Sequence, residues 1–551
     1  MVKRIFFVIL AMSATVVGMA CTNFIVGKAA SADGSVMVTY NADSYGMYGN
    51  MYRSEAATHN EGEVRKVFEW DTNRFLSLVD EAPVTYNVVG QMNENQVSIC
   101  ETTFGGREEL VDSTGKLDYG SLIYIALERS KSAKDALKIM TTLATENGYC
   151  SEGETFSICD KNEAYVLEMV GKGPGSRGCV WVAVRIPDDC ISAHANQSRI
   201  TKFLQLYPKK DVSYSKDVIS FAKEKGYFTG ADKDFSFRDA YAPADFSANR
   251  YCEARVWSFF NHYVSGMDKY LDYVMGEKKE CLNDEMPLYV RPERKVSLQD
   301  LKAEMRDHYE GTALDMTKDL GAGAWASPYR PSPLSKKIQQ DGKEIEVFNE
   351  RPTSTQQTGF SFVGQMRSWL PDAVGGIVWW TNDDANMAVY TPIYCSVTKL
   401  PECYVRQEGV QDELTFSWKS AFWLENVVAN MVYPYYSKMF PDVLKARQEL
   451  EEKFDKSLPT IEELAVKKPE TAQTLLTTTS ITCANDMMRR WEELYKYLVV
   501  KHNDMVVKKE ENGKFKRGKY GYAAPVTRPG YSDEYWGKVL QDTDGKYIIK
   551  K

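Results

Sequence analysis

Histidine is scarce in this chain of 551 residues, with five in all: His59, His194, His262, His308 and His502. None stands in an HExxH or other paired-ligand spacing, and none accompanies a Gly-x-Ser-x-Gly turn. A zinc peptidase or a serine triad would therefore have to be assembled from very little. No apolar run of 18 residues or more occurs after position 20, so no later segment reads as a membrane-spanning helix. A basic block is also missing. Lys+Arg total 68 against 76 Asp+Glu, a formal charge of −8, which speaks against nucleic acid or anionic membranes as partners. The glycine-rich stretch Gly171–Gly178 lacks the Gly-Lys-Ser/Thr ending of a phosphate loop and leads into a strand, so it reads as a hairpin loop. Asp188-Asp189 and Asp383-Asp384 are isolated acidic pairs and read as turn residues, which leaves no metal and no cofactor in the reading. Neither an internal repeat nor a low-complexity linker interrupts the chain.

What is present is ordinary for a folded protein. Apolar residues make up 43% and charged residues 26%, enough to build one large domain with an appendage, or two to three domains. The first residues stand apart. Lys3 and Arg4 precede the apolar stretch Ile5–Met12, and Gly18-Met19-Ala20 places small residues three and one positions before Cys21. This is the layout of a cleaved secretory signal over 1–20, and it implies a secreted or periplasmic protein. A lipid-modified Cys21 is the competing reading. Lipoprotein signals usually carry a large aliphatic residue where this chain has Gly18.

Cleavage after Ala20 would give Cys21 both a thiol and a free α-amine. A thiol with a pKa of about 8.5 is mostly protonated at neutral pH and needs a base. An α-amine with a pKa of about 7.7–8 is partly neutral there and can take that proton, directly or through a water. One residue then supplies nucleophile and base, and no histidine is required.

The surrounding motifs carry a resemblance. Cys21-Thr-Asn-Phe-Ile-Val-Gly-Lys28, Asp33-Gly34-Ser35 and Asn41-Ala42-Asp43-Ser44 resemble the start of the N-terminal-nucleophile cysteine dipeptidases, the dipeptidase A and secernin family. Similar pieces follow in order: Asn93–Ser98 with Glu101-Thr102-Thr103, Phe156–Asp160 with Glu163–Glu168, Ser192–Ile200, Arg250–Trp257, His308–Thr312 and Gln357–Phe362. The match spans roughly residues 21 to 400. It implies an α+β fold, the αββα four-layer sandwich of N-terminal-nucleophile hydrolases, with Cys21 opening a central strand. One departure stands out, since related enzymes often have Arg before the Asn of the Asn-x-Asp element and this chain has Tyr40. If that arginine helps hold the thiolate, its job is either missing here or done by another residue such as Arg255.

The residues agree with a layered core. Asn23–Gly27 and Ser35–Tyr40 read as strands joined through an Ala32-Asp33-Gly34 turn. Val97–Glu101, Thr155–Cys159, Tyr165–Met169 and Cys179–Arg185 read as further strands. Gly120–Thr145 reads as helix, with Ser132 and Asp135 at capping-box-like spacing and Asn147-Gly148 as the stop. The expected organisation is a hydrolase domain over 21–405, a helical extension over 406–505 and a surface-wrapping tail over 506–551. Pro434, Pro441 and Pro459 are expected to divide the extension into separate helices. Val443, Leu444, Leu450 and Phe454, and Ala484, Met487, Met488, Trp491, Tyr495 and Leu498, fall at helical intervals and read as core. The extension either caps the site or builds a homo-oligomer interface. Apart from Cys21 there are ten cysteines; Cys150/Cys159, Cys179/Cys190 and Cys395/Cys403 are candidate disulfides, with small buried hydrophobes as the alternative.

In this reading Cys21 attacks the carbonyl of a dipeptide or short peptide. The resemblance gives Asn196 as the oxyanion donor, a buried amide rather than a glycosylation site, with a group near Thr102 as a second donor. Asp43 holds the Cys21 ammonium or a water, Asn41 braces that turn, and Arg255 pairs with a substrate carboxylate or with an acidic side chain. The competing functions are an N-acyl amidase of the choloylglycine hydrolase or penicillin acylase type, and a lipid-anchored surface protein without catalysis.

Overall fold

The computed structural model describes residues 21–276 and 286–550. The leader over 1–20 and Cys281 lie outside the described residues. Two sheets organise the molecule. The first contains β1 (Asn23–Val26) and β2 (Val36–Asp43), and the second contains β3 (Ser98–Gly105), β4 (Gly153–Cys159), β5 (Ala164–Gly171) and β6 (Cys179–Ile186). The first sheet is completed by β7 (Ile191–His194), β8 (Thr358–Met366), β9 (Gly376–Asn382) and β10 (Thr391–Tyr394). Its order is Tyr289–Val290, β7, β1, β2, β8, β9, β10. The second runs Val212–Tyr214, β6, β5, β4, β3 and then three two-residue strands. The Gly171–Gly178 stretch is the loop between antiparallel β5 and β6.

Period-two alternation explains how the second sheet is covered. Cys100, Cys159, Val166, Val170, Val182 and Val184 belong to the larger core, while Ile99, Phe156, Ile158, Leu167, Met169 and Ala183 belong to a second one. The first set looks toward the other sheet, where β2 packs on β3 and β4. The second set lies under helices α1 (Tyr119–Arg129) and α2 (Ala133–Asn147). Strands buried on both faces are apolar throughout, apart from the polar groups described below.

Where one helix is expected over 120–145, the structure has two. Ser132 is extended and its Oγ accepts from the Asp135 N–H at 3.1 Å, so a new helix starts there. Gly148 then closes α2 at φ 83°, a left-handed position that a glycine adopts without steric cost.

The outer face of the first sheet carries α3 (Ala254–Asn261) on β7, α4 (Leu298–Glu304) on β8, α5 (Ala421–Val432) on β9 and, further on, α6 (Tyr436–Lys467) and α7 (Pro469–His502), with α7 on β10. The stacking order is helices, sheet, sheet, helices. Pro434 lies in the turn before α6, but Pro441 and Pro459 lie inside that unbroken helix, contrary to expectation. Its buried stripe of Val443, Ala446, Leu450, Phe454 and Leu458 packs into the same core as the sheet, and this burial outweighs the hydrogen bonds the prolines remove. Residues 506–550 run mostly exposed over the surface.

The described cysteines are free thiols, all buried, so the candidate disulfides among them are not formed. Strand geometry explains two of the three cases. Cys179 faces the α1–α2 core and Cys190 the inter-sheet core. Cys159 likewise faces between the sheets, whereas Cys150 is on the wall of the cavity described next.

Candidate active site

Cys21 lies immediately before β1 and is 1% exposed. Its position is set by main-chain pairing one residue on. The Thr22 N–H donates to the Asn41 carbonyl at 3.1 Å, and the Asn41 N–H returns to the Thr22 carbonyl at 3.0 Å. This places Cys21 beside Asp43, the last residue of β2. The Cys21 thiol is 3.6 Å from the Tyr40 hydroxyl and 3.8 Å from Glu101 Oε1, and the Tyr40 hydroxyl also donates to that oxygen. Where the resemblance leads one to expect an arginine, a phenol therefore links the thiol to a carboxylate.

The electrostatics keep this thiol neutral. Burial, then the charges of Glu101 and Asp43, push its pKa well above the ordinary range, opposed by the Asp43 main-chain N–H and the Tyr40 hydroxyl. Burial also raises Asp43, against the pull of Arg351, Thr358 and Arg255. The Asp43 carboxylate accepts from Arg351 Nη2 at 2.6 Å and from Thr358 Oγ1 at 2.5 Å. Asn41 is tied across the chain rather than within its own turn. Its Nδ2 donates to the carbonyls of Met305 at 3.2 Å and Thr353 at 2.8 Å.

Arg255, in the first turn of α3, follows a wide π-helical turn over Ala248–Glu253. Its guanidinium donates to the Cys21 carbonyl at 2.6 Å, Thr22 Oγ1 at 2.7 Å, Asn196 Oδ1 at 3.0 Å and the Tyr251 carbonyl at 2.6 Å. The side chain is thus bonded mainly to the strand that carries Cys21. Asn196 has φ 49° and donates Nδ2 to the Thr103 carbonyl at 2.8 Å. Cys21, Asp43, Asn41, Asn196 and Arg255 are brought together. Thr102 is turned away, because β3 alternates. Its hydroxyl meets His194 Nδ1 at 2.7 Å between the sheets, and His194 Nε2 meets Ser157 Oγ at 2.7 Å. Burial lowers the His194 pKa to about 3, so the ring is neutral.

A cavity of about 700 Å³ adjoins these groups. Its wall includes Asn196, Arg255 and Arg351 together with Asp71, Asp118, Tyr119, Glu152 and Glu154. Glu101 and Glu154 sit in mid-strand on the α1–α2 side of the second sheet, in line with Phe156. Both are buried, and burial raises both carboxyls, Glu154 further because of Glu101's charge. The sequence reading passed over Glu101, Glu154 and Arg351. A carboxylate inside a fully strand-like run was the available signal for the two glutamates, since such groups are seldom buried without a task. Arg351 reaches Asp43 across 308 positions, and no local pattern marks it.

Comparison with known proteins bears on the chain as a whole. The model of peptidase family C69 matches residues 20–449. A protein of Salmonella dublin named probable dipeptidase is 28% identical over 409 residues, covering 70% of this chain and 84% of that protein. A Bifidobacterium longum protein named dipeptidase is 26% identical over 373 residues, covering 61% and 67%. A Streptococcus pyogenes serotype M1 protein named probable dipeptidase B is 22% identical over 508 residues, covering 89% and 95%.

Proposed function

Since the chain belongs to peptidase family C69, we propose that it is an exported cysteine dipeptidase whose nucleophile is created when the leader is removed ahead of Cys21. The observation that carries this reading is the placement of Cys21. Its thiol is buried against Tyr40 and Glu101 at the head of a central strand, and the groups around it open onto a cavity. The helix–sheet–sheet–helix stacking is then that of the N-terminal-nucleophile hydrolases. The names of the relatives supply the substrate class, a dipeptide.

Cleavage converts the Cys21 nitrogen from a peptide amide to an amine. The amine takes the thiol proton, and the charge of Asp43 favours the ammonium that forms, offsetting the cost that Glu101 and Asp43 place on the thiolate. The thiolate forms a bond to the scissile carbonyl carbon, and the C=O electron pair moves to oxygen. Asn196 and the Asp43 main-chain N–H are the donors assigned to that oxyanion. Such a donor is worth about 3–4 kcal/mol in other acyl-transfer hydrolases. The C–N bond then breaks, the ammonium returns its proton to the leaving amine, and water hydrolyses the thioester. Asp43 holds the ammonium, while Arg351 and Thr358 hold Asp43.

The test starts from secreted protein of the exporting host, whose amino terminus and intact mass are read first. Unmodified Cys21 as residue one, hydrolysis of dipeptides, and loss of turnover in a folded Cys21→Ala variant are the expected results. A lipid on Cys21, or an unchanged rate in the variant, would end the mechanism. Faster hydrolysis of N-acyl amino acids than of dipeptides would instead move the activity to the amidases.

A further inference from the structure

We propose that the buried carboxyl pair Glu101–Glu154 is the subsite that receives the α-ammonium group of the substrate. The inference rests on the dipeptidase reading and names the feature that restricts cleavage to the first peptide bond.

Each glutamate is bonded on one oxygen and bare on the other. Glu154 Oε1 accepts from Thr103 Oγ1 at 2.7 Å, and Glu101 Oε1 accepts from Tyr40 and faces the Cys21 thiol at 3.8 Å. Glu154 Oε2 and Glu101 Oε2 are buried and have no donor. The side chains are 1% and 0% exposed, and Glu154 is part of the cavity wall. The two carboxyls interact directly: Glu101's charge and the hydrogen bond between them raise Glu154, while the same bond lowers Glu101, so the pair holds one proton more readily than none. They need one positive hydrogen-bond donor between them. In the empty cavity a shared proton can serve, and an ammonium group, with three N–H donors, serves both at once.

Distance selects which ammonium. In a dipeptide the α-nitrogen is about 2.5 Å from the scissile carbonyl carbon, from the standard N–Cα and Cα–C lengths. A carbon in attack contact with Sγ, at about 3–3.5 Å, thus carries its α-nitrogen within reach of a carboxylate that is itself 3.8 Å from that sulfur. The ammonium of a lysine side chain is several bonds further out and would overshoot Glu101. The remaining wall agrees in sign, since Asp71, Asp118 and Glu152 line the same cavity. Arg255 and Arg351 lie on the same cavity but are bonded to the Cys21 carbonyl and the Asp43 carboxylate.

The experiment compares three substrates on the processed wild-type enzyme and on Glu154→Gln: alanyl-alanine, N-acetyl-alanyl-alanine, and propionyl-alanine, which lacks only the amino group. Wild type is expected to prefer alanyl-alanine over propionyl-alanine by about 100-fold in kcat/KM, the scale of a buried charge-assisted contact. Glu154→Gln is expected to cut that preference at least tenfold, mainly through KM. A variant that loses kcat/KM equally on alanyl-alanine and propionyl-alanine would make Glu154 merely structural and overturn the assignment. Should the variant not fold, wild type decides alone, because equal rates on alanyl-alanine and propionyl-alanine would also overturn it. Those outcomes leave the dipeptidase reading standing. Failure of wild type to cleave alanyl-alanine at all would remove that reading, and the subsite with it.

Discussion

Arg255→Met tests whether this arginine positions the nucleophile or binds substrate. Its side chain is 1% exposed and gives four hydrogen bonds at 2.6–3.0 Å, two of them to Cys21 and Thr22. Each charge-assisted bond is worth about 1.5–3 kcal/mol, but the sum is not the cost, because methionine also escapes the desolvation of a buried guanidinium. What remains is the cost of leaving the Cys21 carbonyl and Asn196 Oδ1 without donors, at about 1–3 kcal/mol each, and of breaking the link between α3 and β1. The expected destabilisation is about 3–5 kcal/mol, read as a shift of the denaturant midpoint. Turnover should fall further than stability suggests. A nucleophile misplaced by about 1 Å can lose 100-fold, and this loss would appear in kcat. Arg255→Lys should recover part of the stability but little of the turnover, since one ammonium cannot reproduce the planar fork that reaches Cys21, Thr22 and Asn196 together. If Arg255→Met instead raised KM with kcat unchanged, and did so only for substrates with a free carboxylate, the positioning argument would be refuted. The arginine would then be a substrate ligand.

Two further substitutions probe the scaffold. Asp383 is buried at φ 54°, with Oδ1 accepting from Asn426 at 2.9 Å and Oδ2 unpartnered, and burial followed by Asp384's charge raises its pKa to about 8. The folded pKa exceeds an unfolded value of about 4, so the protonated group favours folding fully below pH 4, and the benefit is lost as pH rises through 8. Asp383→Asn, which tolerates the same backbone, should therefore match wild type in thermal melts at pH 4 and exceed it at pH 9; an equal offset at both would contradict the assignment. Trp491, fully buried in α7, donates Nε1 to the Met387 carbonyl at 3.1 Å. Trp491→Ala should cost about 3–5 kcal/mol in one cooperative transition, because α7 shares its core with the first sheet; a separate early melt of the helices would show otherwise.

Local pattern reached some of this structure and missed the rest for identifiable reasons. The hairpin of β1 and β2, the β5–β6 loop and the helical stripes on α6 and α7 were legible because alternation and helical spacing are written in contiguous residues. The break at Ser132 was half visible, since the capping spacing was there while the apolar face ran through it. Pro441 and Pro459 misled because a local rule was applied where tertiary burial decides. At the site, Cys21 was conspicuous for its chemistry, and Asp43 and Asn41 stood near it in sequence. Arg255 was picked out for its charge and given an outward role; its bonds to Cys21 and Asn196 depend on how α3 lies across β1. Thr102 was one residue off, because strand alternation sends Thr103 and Glu101 to one face and Thr102 to the other.

The surroundings of Cys21 also explain why the chemistry would wait for processing. In the uncut chain the sulfur is buried between two carboxylates, and burial with both charges favours the neutral thiol. Arg255 does not offset this, because its guanidinium is bonded to the Cys21 carbonyl rather than the sulfur. Cutting ahead of Cys21 adds the missing positive partner at a distance of two covalent bonds from the side chain. The same carboxylates that disfavour a lone thiolate then favour the ammonium beside it, and the ion pair becomes accessible where the isolated anion was not. Glu101 would serve twice, holding the thiol neutral before cleavage and drawing an ammonium toward the nucleophile afterwards. Replacing it by glutamine would therefore ease thiol ionisation in the uncut chain.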